Sequence, residues 1–274
     1  MDALLNWFSE PFSYPFMQNA LFTAIAVSSI CAILSCYLVL KGWSLMGDAI
    51  SHAVMPGIVI AFWLGLPLTI GAFCSGLLCA LGVGYLKENS RIKEDTAMGI
   101  VFSGMFALGL VLFTKVETDQ HLTHILFGNL LGVSNSEMWQ SIVIALVVLV
   151  LVLVKRKDLL LYCFDPIQTR TTGQSPRLLH YGLLSLLALT IISAMQVVGV
   201  MLVVAMLISP GITAFTLSKR FDRMLLIALA SSISTSILGT LISFHIDGAT
   251  GPCIILLQAL LFLLALGYQK FRKN

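Results

Sequence analysis

Asp48 and His52 are the residues of this chain best placed to do chemistry. They stand four apart in Gly47-Asp48-Ala49-Ile50-Ser51-His52. On a helix that spacing puts a carboxylate and an imidazole on one face, one turn from each other. The flanking sequence is apolar, and hydrocarbon offers an ionisable group no partner, so such a pair points to function. Carboxylate oxygen with imidazole nitrogen is a ligand set for a divalent transition metal. If the helix begins near Trp43, Asp48 lies roughly 8 Å and His52 roughly 14 Å along it, too deep to reach water easily. Gly47, Ala49, Ser51 and Ala53 are small and let another helix or a substrate come close. The competing reading is a structural pair, with Asp48 bonding a neighbouring helix end and His52 a carbonyl.

The elements that position this pair must suit a membrane. The chain has 274 residues, 58% hydrophobic and 11% charged. Its mean hydropathy is +0.96. A soluble domain carries about 25% charged residues, so the class is an all-α polytopic membrane protein. The net charge of +3 gives no footing for nucleic acid. Helical spans need about 20 apolar residues. They are expected at 17–40, 44–65, 68–86, 97–114, 138–154, 180–195, 197–217, 225–243 and 253–269. The break near Gln196 is weak, so the count is eight or nine. The stretch 124–134 is apolar but too short to cross, and is expected to be re-entrant or interfacial. The first sixteen residues hold five aromatics and no Lys or Arg, as in an interfacial segment rather than a cleavable signal. The whole chain, 1–274, is expected to be one transmembrane domain.

Lys and Arg set the orientation. With nine spans and the N-terminus outside, only Lys115 of the sixteen faces outward, and the C-terminus is cytoplasmic. The long loop at about 155–179 is then cytoplasmic. Within it, Asp165 is an N-cap with Pro166 at the first helical position, and Gly173 stops the short helix that results. Such a loop either docks a soluble partner or merely connects two spans.

Other candidates are weaker. His245 and Asp247, in the outer turn before Gly248, can ligate a metal near the outer mouth. That stretch also reads as an ordinary Gly/Pro turn with a capping Asp. His121 and His124 either help cations enter or sit in a solvated loop. The six cysteines form no C-x-x-C pair and read as small apolar side chains. No G-x-x-x-x-G-K-[ST] sequence occurs, so uphill transport draws its energy from another polypeptide. A membrane enzyme using Asp48 and His52 would need a third intramembrane ligand and a base, which the sequence lacks. An ion-coupled secondary transporter would need coupling carboxylates within its spans, and Asp48 is the one clear case.

In order along nearly its whole length, the chain resembles the membrane permease subunits of bacterial ABC importers for manganese, iron and zinc, the ABC-3 family. The matching pieces include Lys41-Gly42-Trp43-Ser44-Leu45-Met46-Gly47-Asp48, Ser51-His52-Ala53-Val54-Met55-Pro56-Gly57, Asp165-Pro166, Ser209-Pro210-Gly211 and Thr250-Gly251-Pro252. Gly211 and Ile212 stand where the family commonly has Ala. The form of the segment around Pro56 is closer to the manganese/iron branch than to the zinc branch. The resemblance implies a type II importer permease fold in the bacterial inner membrane. It also implies a second permease subunit, identical or homologous, two ATPase subunits and an outer metal-binding receptor. It carries a metal-lining pair onto Asp48 and His52 and, less directly, an acidic position onto Asp247. An ATPase-coupling helix falls on Asp165, Pro166, Ile167, Gln168, Thr169, Arg170 and Gly173. No resident cofactor is expected, since Mn2+ or Fe2+ (or Zn2+) would be cargo.

Overall fold

The computed structural model describes residues 10–43, 45–115 and 130–273. Twelve α-helices fill them. They are α1 (Pro15–Lys41), α2 (Met46–Ala53), α3 (Met55–Trp63), α4 (Leu68–Asn89), α5 (Glu94–Phe113), α6 (Asn135–Val154), α7 (Arg156–Phe164), α8 (Pro166–Thr171), α9 (Pro176–Val198), α10 (Val200–Leu217), α11 (Phe221–Ile246) and α12 (Thr250–Lys273). Counting α2 and α3 as one crossing, nine helical segments of the described residues are long and apolar enough to span a membrane. The weak break expected near Gln196 falls at Gly199, whose φ of +83° suits only glycine. That extends α9 to 23 residues, a full span. Of the apolar stretch 124–134, residues 124–129 lie outside the described set, and 130–132 form a single 3-10 turn.

Two compact units partition the chain. The first comprises residues 1–39, 124–147 and 194–274, and the second residues 40–123 and 148–193. In the first, α10, α11 and α12 pack on one another. Their seam is lined by hydroxyls that bond back to their own helix, such as Thr235 to the Ser231 carbonyl at 2.8 Å and Thr240 to that of Ser236 at 2.7 Å. In the second, α3 packs on α4 and α5, and α2 packs on the same two helices.

Within the second unit the tightest contact is α3 on α4. A Cβ on Gly57 would come within 2.8 Å of the Gly71 carbonyl carbon, and a Cβ on Gly71 within 2.9 Å of that of Gly57. Two helices can approach this closely only where both are bare backbone. By contrast, only 17% of the most apolar window of α5 and 22% of that of α12 are buried within the chain. Their outer faces suit lipid or another subunit.

Candidate metal-ion site

Helix α2 starts later than the sequence suggests. Gly42, at φ +75°, ends α1. Trp43 then buries its ring instead of entering a helix, and its carbonyl accepts the Met46 N–H at 3.1 Å. Because the first helical residue is Met46, Asp48 sits only ~3 Å and His52 ~9 Å from the start. The carboxylate is thus in the first turn, where the helix dipole favours an anion.

Asp48 Oδ1 and His52 Nε2 are 3.3 Å apart, and their side chains are 45% and 34% exposed. Neither has another polar partner among the described residues. The pair is therefore not spent on a helix end or a carbonyl. An ion can reach both atoms. Behind the imidazole stand Phe102 and Phe106, one turn apart on α5, with ring centroids 5.6 and 5.3 Å from it. They wall one side of the site and restrict the ring's rotation. The small residues of α2 face α4: Cys79 Sγ donates to the Ala49 carbonyl at 3.9 Å and Ser75 Oγ to the Ala53 carbonyl at 2.6 Å. Among the described residues no third His, Cys, Asp or Glu joins this pair.

His245 and Asp247 belong to the first unit, and Asp48 and His52 to the second. The His245 Nδ1–H donates to the Leu241 carbonyl at 2.9 Å, one turn back on its own helix. Asp247, at φ +52°, is the left-handed residue that ends α11. Ser243 Oγ ties the turn shut, donating to the Gly248 carbonyl at 2.7 Å and lying 2.8 Å from Thr250 Oγ1. His121 and His124 lie outside the described residues.

The segment 155–179 holds the short helix read from Asp165-Pro166. Asp165 Oδ1 accepts the N–H groups of Ile167 at 2.8 Å and Gln168 at 3.0 Å. Gly173, at φ +80°, closes α8, with Gln174 N–H bonding the Thr169 carbonyl at 3.2 Å. Thr169 is fully buried, while Phe164 and Ile167 are 67% and 79% exposed. The segment thus shows two large apolar side chains beside the exposed Arg170. Helix α7, directly before it, is an element the sequence reading missed. Its signal is the basic-acidic pair Lys155 and Asp158, 3.3 Å apart at helical spacing. Phe102 and Phe106 were also missed, although an i,i+4 aromatic pair is visible in the sequence.

A model of the ABC 3 transport family matches residues 13–269. The chain belongs to the ABC 3 transport family. It is a membrane permease subunit of an ABC transporter and not an enzyme, with ATP hydrolysis on a separate subunit. This ABC 3 permease is 68% identical over 269 residues to "Probable iron transport system membrane protein" of Haemophilus influenzae, covering 98% of this chain and 99% of that one. It is 47% identical over 261 residues to "Manganese transport system membrane protein MntB" of Synechocystis, covering 95% and 85%. Among solved structures it is similar to PsaBC from Streptococcus pneumoniae in complex with Fab. The TM-score is 0.85 at 38% identity, over 99% of this chain and 100% of that one. The permease therefore has the all-helical, multi-pass fold expected from its sequence.

Proposed function

We propose that this permease carries manganese or iron, as the divalent ion, into the bacterial cytoplasm, with Asp48 and His52 among the ligands that replace its water shell. The carrying observation is the 3.3 Å carboxylate–imidazole pair, open to an ion and without another polar partner among the described residues. Two ligands from one chain bind weakly enough for release, and a second permease subunit completes the set. Relatives named for iron and manganese transport favour those cargoes over zinc, although the same donor pair also suits zinc.

In this reading an outer receptor delivers the ion. An ATPase subunit docks on α8 through the surface around Ile167, Gln168 and Arg170. ATP-driven closure then rearranges the helices so that access alternates between the two sides. The positive-inside distribution puts the N-terminus outside and α8 inside. His245 and Asp247 fall on the outer side and act at ion entry rather than within the path.

Uptake of radiolabelled manganese by cells expressing Asp48→Ala or His52→Ala tests the ligand assignment. Both variants should insert, assemble and fail to accumulate metal; normal uptake by both overturns it. Orientation has its own test. In a cysteine-free background, an impermeant maleimide added outside should label Gly248→Cys and spare Gln174→Cys. The reverse pattern overturns the docking assignment of α8.

A further inference from the structure

Several segments of the second unit meet at the rings of Tyr162 and His180. The Tyr162 hydroxyl and His180 Nδ1 share a buried hydrogen bond of 2.7 Å. Tyr162 stands on α7, three residues before the Asp165 that caps α8, and His180 lies in the first turns of α9. This bond closes the α7–α8–α9 segment at its base. Lys41, at the end of α1, donates from Nζ to the Tyr162 carbonyl at 3.4 Å and lies 3.9 Å from the centre of its ring. Gly84 of α4 faces the same imidazole. A Cβ there would come within 3.1 Å of His180 Nε2 and 2.8 Å of Tyr181 Cε1. Trp43 packs edge-on against His180, with ring centroids 5.2 Å apart.

Trp43 also holds the beginning of α2. Its carbonyl accepts the N–H of Met46, the first residue of the helix whose first turn carries Asp48. Trp43 is 1% exposed and Tyr162 4% exposed. Close-packed rings of this kind pass displacement on to their neighbours. Two nitrogens in the cluster, Trp43 Nε1 and His180 Nε2, are buried and have no hydrogen-bond partner among the described residues. Buried polar groups favour a partner, so a shift that gave these two one would be stabilising. The indole N–H is an obligate donor. His180 Nε2 is an acceptor in the tautomer whose Nδ1–H donates to Tyr162. A second arrangement that brings the indole onto Nε2 satisfies both.

We infer that Trp43, Tyr162 and His180 form a two-position joint that passes movement of α7–α8 to the end of α2 bearing Asp48. The three are positioning residues, acting on the ion through α2. The inference rests on the ligand and docking roles proposed above for Asp48 and α8. It adds the connection between them, a two-state element that both ends can bias.

The test uses the permease assembled with its ATPase and receptor in proteoliposomes, with Trp43→Phe, Tyr162→Phe and His180→Asn compared with the parent. The readout is manganese transported per ATP hydrolysed, alongside manganese binding to the purified complex. Binding and receptor-stimulated hydrolysis should persist while the transport ratio falls about five-fold or more, the scale of an ordinary allosteric coupling. An unchanged ratio in all three variants overturns the joint. So does a parallel loss of transport and hydrolysis, the mark of mere packing. If His180→Asn fails to assemble, Tyr162→Phe, which removes a single oxygen, decides alone. Asp48→Ala separates the two readings. Normal manganese transport by that variant sinks the ligand assignment, whereas a transport-dead Asp48→Ala beside unchanged ratios sinks only the joint.

Discussion

Each of the two units contains a Pro-Gly step in an apolar helix, and the two steps are built differently. In the first unit, Pro210-Gly211 leaves α10 continuous from Val200 to Leu217. Proline removes one N–H and pushes back the carbonyl a turn earlier. Ser35 of α1 bonds the backbone on both sides of this step, donating to the Ile208 carbonyl at 3.3 Å and accepting the Gly211 N–H at 2.9 Å. In the second unit, the regular bonding around Pro56-Gly57 is interrupted at Val54, between α2 and α3, while Val54 itself keeps helical dihedrals (φ −69°, ψ −26°). There Ser75 serves one carbonyl, that of Ala53, and Gly57 is pressed against the backbone of Gly71. The interrupted step follows directly on the turns that carry Asp48 and His52, within one 18-residue span.

The largest expected effect follows from that asymmetry. Asp48→Ala or His52→Ala should abolish manganese uptake, whereas Ser35→Ala, at the other step, should leave metal choice unchanged in the same cell assay. Altered metal preference in Ser35→Ala would mean that the two steps do not differ in function.

Next come the glycines. Gly57→Ala and Gly71→Ala each force a methyl into backbone and should cost about 1–3 kcal/mol, read as a lower thermal midpoint of the purified permease. Gly99→Ala and Gly104→Ala, where a Cβ would meet nothing within 4 Å, are the matched controls and should not lower it. Equal midpoints across all four would remove the case for a tight α3–α4 contact.

The smallest effects separate the two serines. Ser35→Ala loses two bonds and should cost about 1–3 kcal/mol, while Ser75→Ala loses one bond for about 0.5–1.5 kcal/mol. The reverse order would contradict the bridging role given to Ser35.

Much of this was legible in the sequence wherever one helical turn decides the matter. The Asp48–His52 pair, the Asp165 cap and the Gly173 stop each depend on residues two to five apart, and each is found in the structure. Apolar length gives eight or nine spans, and the break at Gly199 among the described residues makes them nine. What was not legible depends on distant partners. Pro56 is visible, but the Ser75 hydroxyl of α4 that bonds the Ala53 carbonyl beside it is not. The start of α2 shifts to Met46 because Trp43 is buried against His180, a contact no local pattern announces. Phe102 and Phe106 read as ordinary apolar span residues until α5 is packed beside α2. The turn at Asp247 can be read as a cap or as a ligand from the sequence. The structure supplies the cap geometry, with Asp247 left-handed at the end of α11.

The Gly57–Gly71 contact has a consequence for repeated motion. Most helix interfaces must refreeze several side-chain rotamers each time they close, at a cost of up to about 2 kcal/mol per long side chain. Where backbone meets backbone, no rotamer is lost on closing and none has to be found again. Such a contact behaves like a bare bearing. If the two helices part and close during turnover, this patch is reseated with little search.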